Sequence, residues 1–258
     1  MAYQNIIAQV EGSIATITIN RPEVRNALDL NTLHEIEQAL DEWRNNQDVM
    51  VVIFTGSGEK SFAAGADIAQ LQKRTMIEAL QPNMTATYRK IEEYEKPTIA
   101  AINGFALGGG LELALACDIR LAALHAKIGL PELNLAIMPG AGGTQRLSRI
   151  IGKGRAMEMI LLGEIISAEK AEQIGLVSRA IPLEELMPLA KEYAAKLAAK
   201  GPLAVRLAKA VIHRGADIEI ETALFLEKLA QTILIGSEDK QEGTQAFLEK
   251  RNPHFTGK

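Results

Sequence analysis

The pattern of apolar residues changes character near Ser167. Before that point, short β-rich runs alternate with stretches of helical periodicity, and after it the strand pattern nearly disappears. Alternating strands and helices are typical of α/β proteins in which much of the sheet is parallel. We therefore predict an α/β fold whose C-terminal part consists of helices.

Turn and capping residues divide the first part into elements. Glu11-Gly12-Ser13 separates two β-rich runs and predicts a hairpin, and Asp29 is a suitable N-cap for a helix expected to end near Asn46. We predict strands at residues 6–10, 14–19, 49–55, 97–103 and 118–122, and a further helix at residues 111–117.

The helical part is expected to begin at residue 167. Helices are predicted at residues 167–175, 183–199, 202–214, 218–235 and 238–251. Gly201-Pro202 marks the predicted boundary between a core of residues 1–200 and a helical C-terminal region of residues 201–258. Many apolar side chains lie in this region, among them Leu224, Leu226, Leu229, Ile233 and Leu234. They either face another subunit or form a core within the chain.

Composition narrows the class of protein. The 258 residues are 47% hydrophobic, and their net charge of −4 argues against a nucleic-acid-binding surface, which is usually basic. A single cysteine, Cys117, leaves no intrachain disulfide, and its apolar surroundings indicate a buried thiol. Residues 1–10 show no presequence pattern, and no apolar run approaches the roughly 20 residues of a membrane span. We expect a cytoplasmic protein that does not bind membranes.

Three stretches are richer in glycine and alanine than turns require: residues 63–67, 104–110 and 139–144. Small residues let a ligand approach the main chain. Where such a stretch leads into a helix, the first N–H groups have no intrahelical acceptor and can point at an anion or a polarised oxygen. The first two stretches have this form. The alternative is that their glycines only permit close packing of helix against sheet.

Several common kinds of site find no support. Neither of the first two stretches matches the Gly-x-Gly-x-x-Gly pattern of dinucleotide sites, and the Gly-x-x-x-x-Gly-Lys-Ser/Thr pattern of ATP sites is missing. No serine or cysteine has an activating context. No two histidines have the spacing of metal ligands, so neither a hydrolase triad nor a metal site is predicted; the histidines are His34, His125, His213 and His254.

Two glutamates stand in apolar surroundings. Glu112 follows the triple glycine 108–110 in an otherwise apolar segment, and Glu132 follows Pro131 in another. A carboxylate in such a place is costly unless it is paired or used, although each acid alone could be a partly buried group or a helix cap. When two carboxyl groups lie close together in surroundings of low polarity, the pKa of one of them rises, so that this group can hold a proton near neutral pH. Together they predict an acid–base pair.

These residues resemble the enoyl-CoA hydratase/isomerase, or crotonase, family. The resemblance is carried by residues 63–68, 102–113, 131–132 and 139–147, in that order, and it extends from Asn20-Arg21-Pro22 to residues 247–251. It implies a spiral of strand–strand–helix turns with a C-terminal helical region that forms trimers, often stacked as hexamers. It also implies a coenzyme A thioester as substrate, with no separate cofactor.

The resemblance assigns roles to particular positions. The N–H groups of Ala66 and Gly109 would form the oxyanion hole for the thioester carbonyl, and Glu112 and Glu132 would be the catalytic acids. Lys60 could reach the coenzyme A phosphates, and a neighbouring subunit would contribute Phe247 and Lys250. The remaining substrate-binding positions implied are Val24, Arg25, Ala27, Ala64, Asp67, Ile68 and Gly140.

Retention of both glutamates favours a hydratase, which adds water reversibly and syn to a trans-2-enoyl-CoA to give the 3-hydroxyacyl-CoA, as in fatty-acid degradation. A Δ3–Δ2-enoyl-CoA isomerase, which needs one acid, is the alternative within the family. Some relatives bind RNA, but the acidic balance argues against that function here. Ala136 stands where many relatives have glycine, and Leu130 where some have glutamine, and both positions bear on the shape of the pocket.

Overall fold

The computed structural model describes residues 3–81 and 83–258. That part of the chain contains ten strands and twelve α-helices. The strands are β1 (Ile6–Glu11), β2 (Ile14–Ile19), β3 (Val51–Gly56), β4 (Ser61–Ala63), β5 (Thr98–Ile102), β6 (Phe105–Leu107), β7 (Ile119–Ala123), β8 (Lys127–Gly129), β9 (Ile165–Ser167) and β10 (Arg179–Ile181).

The helices surround the two sheets that these strands form. They are α1 (Leu30–Arg44), α2 (Ile68–Lys73), α3 (Met76–Ala79), α4 (Met84–Glu92), α5 (Gly109–Ala116), α6 (Gly143–Ile151), α7 (Lys153–Leu161), α8 (Ala168–Gln173), α9 (Leu183–Ala198), α10 (Pro202–Gly215), α11 (Ile220–Ile235) and α12 (Glu238–Leu248). Short 3₁₀ helices cover Pro22–Val24 and Glu132–Leu135.

The main sheet has six strands in the order β1-β2-β3-β5-β7-β10. Strands β1 and β2 are antiparallel, with Glu11 opposite Ile14, and all other neighbours in this sheet are parallel. The predicted hairpin and the predicted α/β class with a largely parallel sheet are therefore confirmed. As expected, Asp29 caps α1: its Oδ1 accepts a hydrogen bond from the Thr32 N–H at 2.8 Å.

Both faces of the main sheet are buried, because alternate residues of its central strands enter two different cores. Val51 and Ile53 of β3 pack with Leu186, Ala190 and other residues of α9 on one face. Residues between them in sequence point to the larger core on the other face, which contains α1 and α5. This arrangement explains why the central strands are apolar throughout instead of alternating.

A second sheet, in the order β4-β6-β8-β9, lies beside the large core. Each of its strands has three residues, too few for a hydrophobic period to be recognised in the sequence. The sequence prediction also missed β10, which pairs with β7 through Arg179–Leu121 and completes the main sheet. The expectation that strands nearly end at Ser167 was therefore wrong at this place.

The C-terminal helices begin close to the predicted positions. Helix α10 starts at Pro202, and its Lys209 and His213 contact the two carboxylate oxygens of Asp118, next to β7, at 2.8 and 3.1 Å. Helix α12 ends at Leu248, earlier than predicted, because Lys250 adopts a left-handed conformation with φ of 55°. The division into a core of residues 1–200 and a helical region of residues 201–258 stays a prediction. Residues 1, 2 and 82 of the predicted core lie outside the residues that the structure describes.

No helix within residues 3–81 and 83–258 is both long and apolar enough to cross a membrane.

Candidate active site

Helix α5 begins inside the second glycine-rich stretch. Gly108 is its N-cap with φ of +52°, a conformation that favours glycine, and Gly109 is its first residue. A Cβ on Gly110 would come within 1.9 Å of the Ala63 carbonyl oxygen, so this glycine lets α5 start directly against β4. The buried Tyr88 hydroxyl donates to the Gly109 carbonyl oxygen at 2.7 Å. The helix N-terminus is thus fixed in place.

The N–H groups of Ala66 and Gly109 meet at this helix start. A Cβ built on Gly109 would lie 3.5 Å from the Ala66 nitrogen, and one built on Gly65 would lie 3.6 Å from the Gly109 nitrogen. The backbone of Leu28 bonds to the residues on either side of Ala66: its N–H donates to the Gly65 carbonyl oxygen, and its carbonyl oxygen accepts from the Asp67 N–H. The Ala66 N–H therefore points away from Leu28. Neither N–H donates a hydrogen bond to any acceptor in residues 3–81 and 83–258. Two such donors side by side can hold one polarised oxygen.

Glu112 lies one turn into α5 and is 3% exposed. Its Oε1 accepts hydrogen bonds from the N–H groups of Ala141 at 2.7 Å and Gly143 at 2.8 Å. Burial raises the pKa of Glu112, while these two N–H groups and the charge of Arg146 act against the rise. The carboxyl group is therefore both buried and held in one orientation.

Glu132 begins the 3₁₀ helix that follows Pro131. A Cβ on Gly108 would come within 3.2 Å of Glu132 Oε1, which places this carboxyl group beside the start of α5. Its Oε2 is buried and has no hydrogen-bond partner in the described part of the chain. Burial raises the pKa of Glu132 to about 7, and the nearby charge of Glu112 adds to the rise. This acid can hold a proton near neutral pH, as an acid–base pair requires.

The sequence alone missed the groups that hold Glu112. The Pro139–Thr144 stretch was recognised as rich in glycine, but nothing in the sequence linked it to an acid about 30 positions earlier. In the fold, Gly143 begins α6, and its N–H together with that of Ala141 faces Glu112. Gly140, predicted to contact the substrate, is exposed, and its carbonyl oxygen accepts from the Thr85 hydroxyl at 2.8 Å.

Most predicted substrate-binding positions lie along the backbone that leads to Ala66. The Ala64 N–H donates to the Arg25 carbonyl oxygen at 3.1 Å, which joins the first glycine-rich stretch to the loop after β2. Asp67 caps α2 and accepts from Arg21 at 3.4 Å. The other predicted positions in or next to the loop after β2 and the first glycine-rich stretch are partly or fully exposed: Val24, Ala27, Lys60 and Ile68.

Phe247 and Lys250 lie at the end of α12 and just after it. The Phe247 side chain is 83% exposed, so it makes little contact with its own chain. Lys250 follows the helix in a left-handed turn and is also exposed.

Other reactive groups lie outside this cluster. Cys117 is buried, and burial raises the pKa of its thiol to about 12, as the interpretation of an inert thiol expects. His125 contacts the Glu59 carbonyl oxygen at 2.9 Å and His213 contacts Asp118. Among the residues that the structure describes, no group of three or more His, Cys, Asp or Glu side chains is placed to hold a metal ion.

The N–H groups of Ala66 and Gly109, which have no acceptor in the described part of the chain, lie beside two carboxyl groups of raised pKa. This combination defines a class of site that is suited to acid–base chemistry next to a polarised carbonyl oxygen. The family follows from comparison with known proteins. The family model described as enoyl-CoA hydratase/isomerase matches residues 9–258, and the chain belongs to this family. The resemblance inferred from the sequence motifs is thereby confirmed.

The similarity to individual curated proteins and solved structures extends over all or nearly all of the chain. A crotonyl-CoA hydratase of Syntrophomonas wolfei is 46% identical over 260 residues, which cover 100% of both chains. A short-chain-enoyl-CoA hydratase of Clostridium acetobutylicum is 46% identical over 253 residues, or 97% of each chain. The crystal structure of an enoyl-CoA hydratase from Bacillus anthracis is similar with a TM-score of 0.95 at 44% identity, covering 99% of this chain and 100% of that one. The predicted crotonase-like fold is confirmed by this similarity.

Proposed function

We propose that this chain is an enoyl-CoA hydratase, a hydro-lyase that adds water reversibly to a trans-2-enoyl-CoA and gives the 3-hydroxyacyl-CoA. The observation that carries the proposal is the presence of two carboxyl groups, Glu112 and Glu132, beside the N–H pair of Ala66 and Gly109. The names of the two relatives at 46% identity support the same reaction. They also make the four-carbon crotonyl-CoA the first substrate to test.

The N–H groups of Ala66 and Gly109 would hold the thioester oxygen. Hydrogen bonds to this oxygen draw electrons from the conjugated double bond, so C3 becomes electrophilic and negative charge collects on the oxygen as the reaction proceeds. Donors that are already in place stabilise this charge, and each is worth about 3–4 kcal/mol at the transition state. The positive end of the α5 dipole acts in the same direction.

The two acids would divide the proton transfers. Glu112, whose Oε1 is held by two N–H groups, takes a proton from water through Oε2 while the water oxygen bonds to C3. Glu132, with a pKa of about 7, delivers its proton to C2. One water is consumed: one of its protons moves to Glu112, while the proton of Glu132 moves to C2. A proton then passes from Glu112 back to Glu132 through solvent before the next turnover, and the two acids exchange roles in the reverse reaction. A concerted version through one shared water uses the same residues.

Coenzyme A would lie along the backbone that connects Arg25 with Ala64 and continues to Asp67 and Ile68, with Val24 and Ala27 beside it. Lys60, which is exposed, would approach its phosphates. Because Phe247 and Lys250 are exposed, we propose that they complete the site of a neighbouring subunit. Coenzyme A enters as part of the substrate, so no separate cofactor is proposed.

We propose a trimer, or a dimer of trimers, assembled through residues 201–258. Helix α11 supports this because its apolar side chains do not form a core of their own chain: Leu224, Leu229 and Ile233 are each about half exposed. An exposed apolar stripe of this kind normally marks an interface. Of the two interpretations that the sequence left open, contact with another subunit is the better supported. For its location we propose the cytoplasm, on the argument of a single buried thiol.

Crotonyl-CoA tests the proposed function directly. A hydratase removes the conjugated double bond, so the absorbance of the conjugated thioester falls when the protein is added. An isomerase of the same family would leave crotonyl-CoA unchanged and would instead produce that absorbance from a 3-enoyl-CoA. Loss of absorbance with crotonyl-CoA supports the hydratase, whereas no loss together with conjugation of the 3-enoyl substrate would establish the isomerase.

A further inference from the structure

The guanidinium group of Arg146 lies between helix α4 and the loop that holds Glu112. Its Nε and Nη2 donate to the two carboxylate oxygens of Glu92 at 2.9 and 2.7 Å, and its Nη1 donates to the Ala141 carbonyl oxygen at 2.9 Å. The Arg146 side chain is 13% exposed, so these contacts are largely shielded from water. A bidentate arginine–carboxylate pair fixes the orientation of the guanidinium as well as its position.

Ala141 connects this arginine to the acid. Its N–H donates to Glu112 Oε1 at 2.7 Å, while its carbonyl oxygen accepts from Arg146. Both polar backbone groups of one residue are therefore engaged, one by the reacting carboxyl group and the other by a cation that is itself held by Glu92. Movement of Arg146 would shift the donor that orients Glu112.

Gly142 shows how closely Arg146 lies against the loop. A Cβ at this position would come within 2.1 Å of Arg146 Nη1, and the backbone has φ of +102°, which favours glycine. Gly142 stands between Ala141 and Gly143, the two residues whose N–H groups face Glu112. The loop and the guanidinium thus fit one another with no space for a side chain between them.

Helix α4 holds the same region at two more points. Thr85 donates to the Gly140 carbonyl oxygen at 2.8 Å, and Tyr88 donates to the Gly109 carbonyl oxygen at 2.7 Å. Thr85, Tyr88 and Glu92 are three and four residues apart, so they lie on one face of the helix. This face supports both the loop that orients Glu112 and the residue that supplies an oxyanion donor.

We propose that Arg146, held by Glu92, is a positioning residue for the hydration reaction: it fixes the 139–143 loop so that Glu112 keeps Oε2 available for the attacking water. The proposal rests on the proposed function of this chain. Arg146 donates to the Glu92 carboxylate and to the Ala141 carbonyl oxygen, so in this proposal it acts on turnover through Glu112.

The charge of Arg146 gives this role a measurable signature. Burial raises the pKa of Glu112, and the positive charge of Arg146 opposes that rise. Removal of the charge lets Glu112 take up a proton at a higher pH. Since protonated Glu112 cannot accept a proton from water, the acid limb of the activity profile would move to higher pH.

The test uses the full-length Arg146→Gln variant with crotonyl-CoA across a range of pH. We expect kcat to fall about 10- to 100-fold, as is typical when a reacting group is slightly misplaced, with KM changed by less than roughly threefold. The acid limb should move to higher pH. Arg149→Gln is the matched control, because Arg149 lies on the same helix in an exposed ion pair with Asp217. It should keep the kcat and the pH profile of the wild type.

Two milder variants separate position from charge. Arg146→Lys keeps the cation but cannot bridge Glu92 and Ala141 in the same way, so kcat should fall while the acid limb stays near that of the wild type. Glu92→Gln should behave similarly, and Arg146→Gln with Glu92→Gln should be no slower than Arg146→Gln alone. These variants also provide the test if Arg146→Gln does not fold, as judged by its circular dichroism.

The outcomes distinguish the two proposals. Absence of hydration by the wild type would overturn the proposed function, and this positioning role with it. Normal wild-type turnover with unchanged kcat and pH profile in Arg146→Gln, or a loss confined to KM, would overturn the positioning role alone. Strictly additive losses for Arg146 and Glu92 would likewise show that the two do not act through one contact.

Discussion

The carboxyl group of Glu132 lies against Gly108, so close that a Cβ on this glycine would come within 3.2 Å of Glu132 Oε1. The contact places one acid beside the helix start that supplies the Gly109 N–H. Glu132 Oε2 is buried and finds no hydrogen-bond partner among residues 3–81 and 83–258. Burial and the neighbouring Glu112 raise the pKa of Glu132 to about 7. An acid in this state is suited to giving up a proton at neutral pH.

The first prediction concerns the pH dependence of turnover. In the proposed mechanism, protonated Glu132 gives its proton to C2, so kcat/KM for crotonyl-CoA should fall as the pH rises through about 7. Because the reaction takes up no net proton, its equilibrium constant does not depend on pH. The kcat/KM of the reverse reaction should therefore fall over the same pH range. Initial rates in both directions between about pH 5 and pH 9 provide the measurement. A flat profile above neutral pH would contradict this role of Glu132.

The second prediction concerns stability. Because the folded-state pKa of Glu132 is raised from 4.5 to about 7, its ionisation opposes folding, and this cost appears as the pH rises through that interval. Glu132→Gln removes the ionisation. As the pH rises from below 4.5 to above about 7, the free energy of unfolding of the variant should therefore increase relative to that of the wild type. The expected increase is roughly 1–2 kcal/mol, because partial contact of Glu132 with water reduces the effect.

Denaturant unfolding of both proteins at several pH values measures this difference. Glu192→Gln, which changes an exposed carboxylate paired with Lys196, is the control and should show no such trend. If the difference between Glu132→Gln and the wild type does not change with pH, Glu132 titrates at an ordinary value in the folded protein.

The third prediction concerns Ala136, which ends the 3₁₀ helix of Glu132 with φ of 57°. A left-handed conformation strains residues with a Cβ, so glycine at this position should relieve strain and raise the free energy of unfolding by about 0.5–1 kcal/mol. Ala195→Gly, inside α9 and exposed, should have the opposite sign. Thermal unfolding of both variants is sufficient, and a lower midpoint for Ala136→Gly would contradict the explanation.

The fourth prediction concerns assembly through α11. Leu229→Glu combined with Ile233→Glu places two charges on the half-exposed apolar face and should reduce the proposed trimer or hexamer to smaller species. Light scattering after size-exclusion chromatography measures the mass. Lys228→Glu, on an exposed part of the same helix, is the control and should leave the mass unchanged. A monomeric wild-type protein would contradict the proposed trimer and the proposed contribution of Phe247 and Lys250.

The sequence predicted those parts of the fold that depend on local patterns. The hairpin, the cap at Asp29 and the start of α10 at Pro202 depend on residues near in sequence, and each was found where expected. The three-residue strands were missed because their pairing, such as Ala63 with Ala106, depends on residues distant in the chain. The same limit applies to the site. Glu112 was recognised from its apolar surroundings, but Arg146 and Glu92 are 54 residues apart, and no local signal shows that they meet.

The central claim is that Glu112 and Glu132 work as one acid–base unit in hydration. The most direct measurement is kcat with crotonyl-CoA for Glu112→Gln, Glu132→Gln and the double variant, with Glu192→Gln as the control. We expect each single variant to lose about 10²- to 10⁴-fold and the double variant to be little slower than either, because neither acid is useful without the other. Near-normal turnover in both single variants, or losses that multiply in the double variant, would contradict the account.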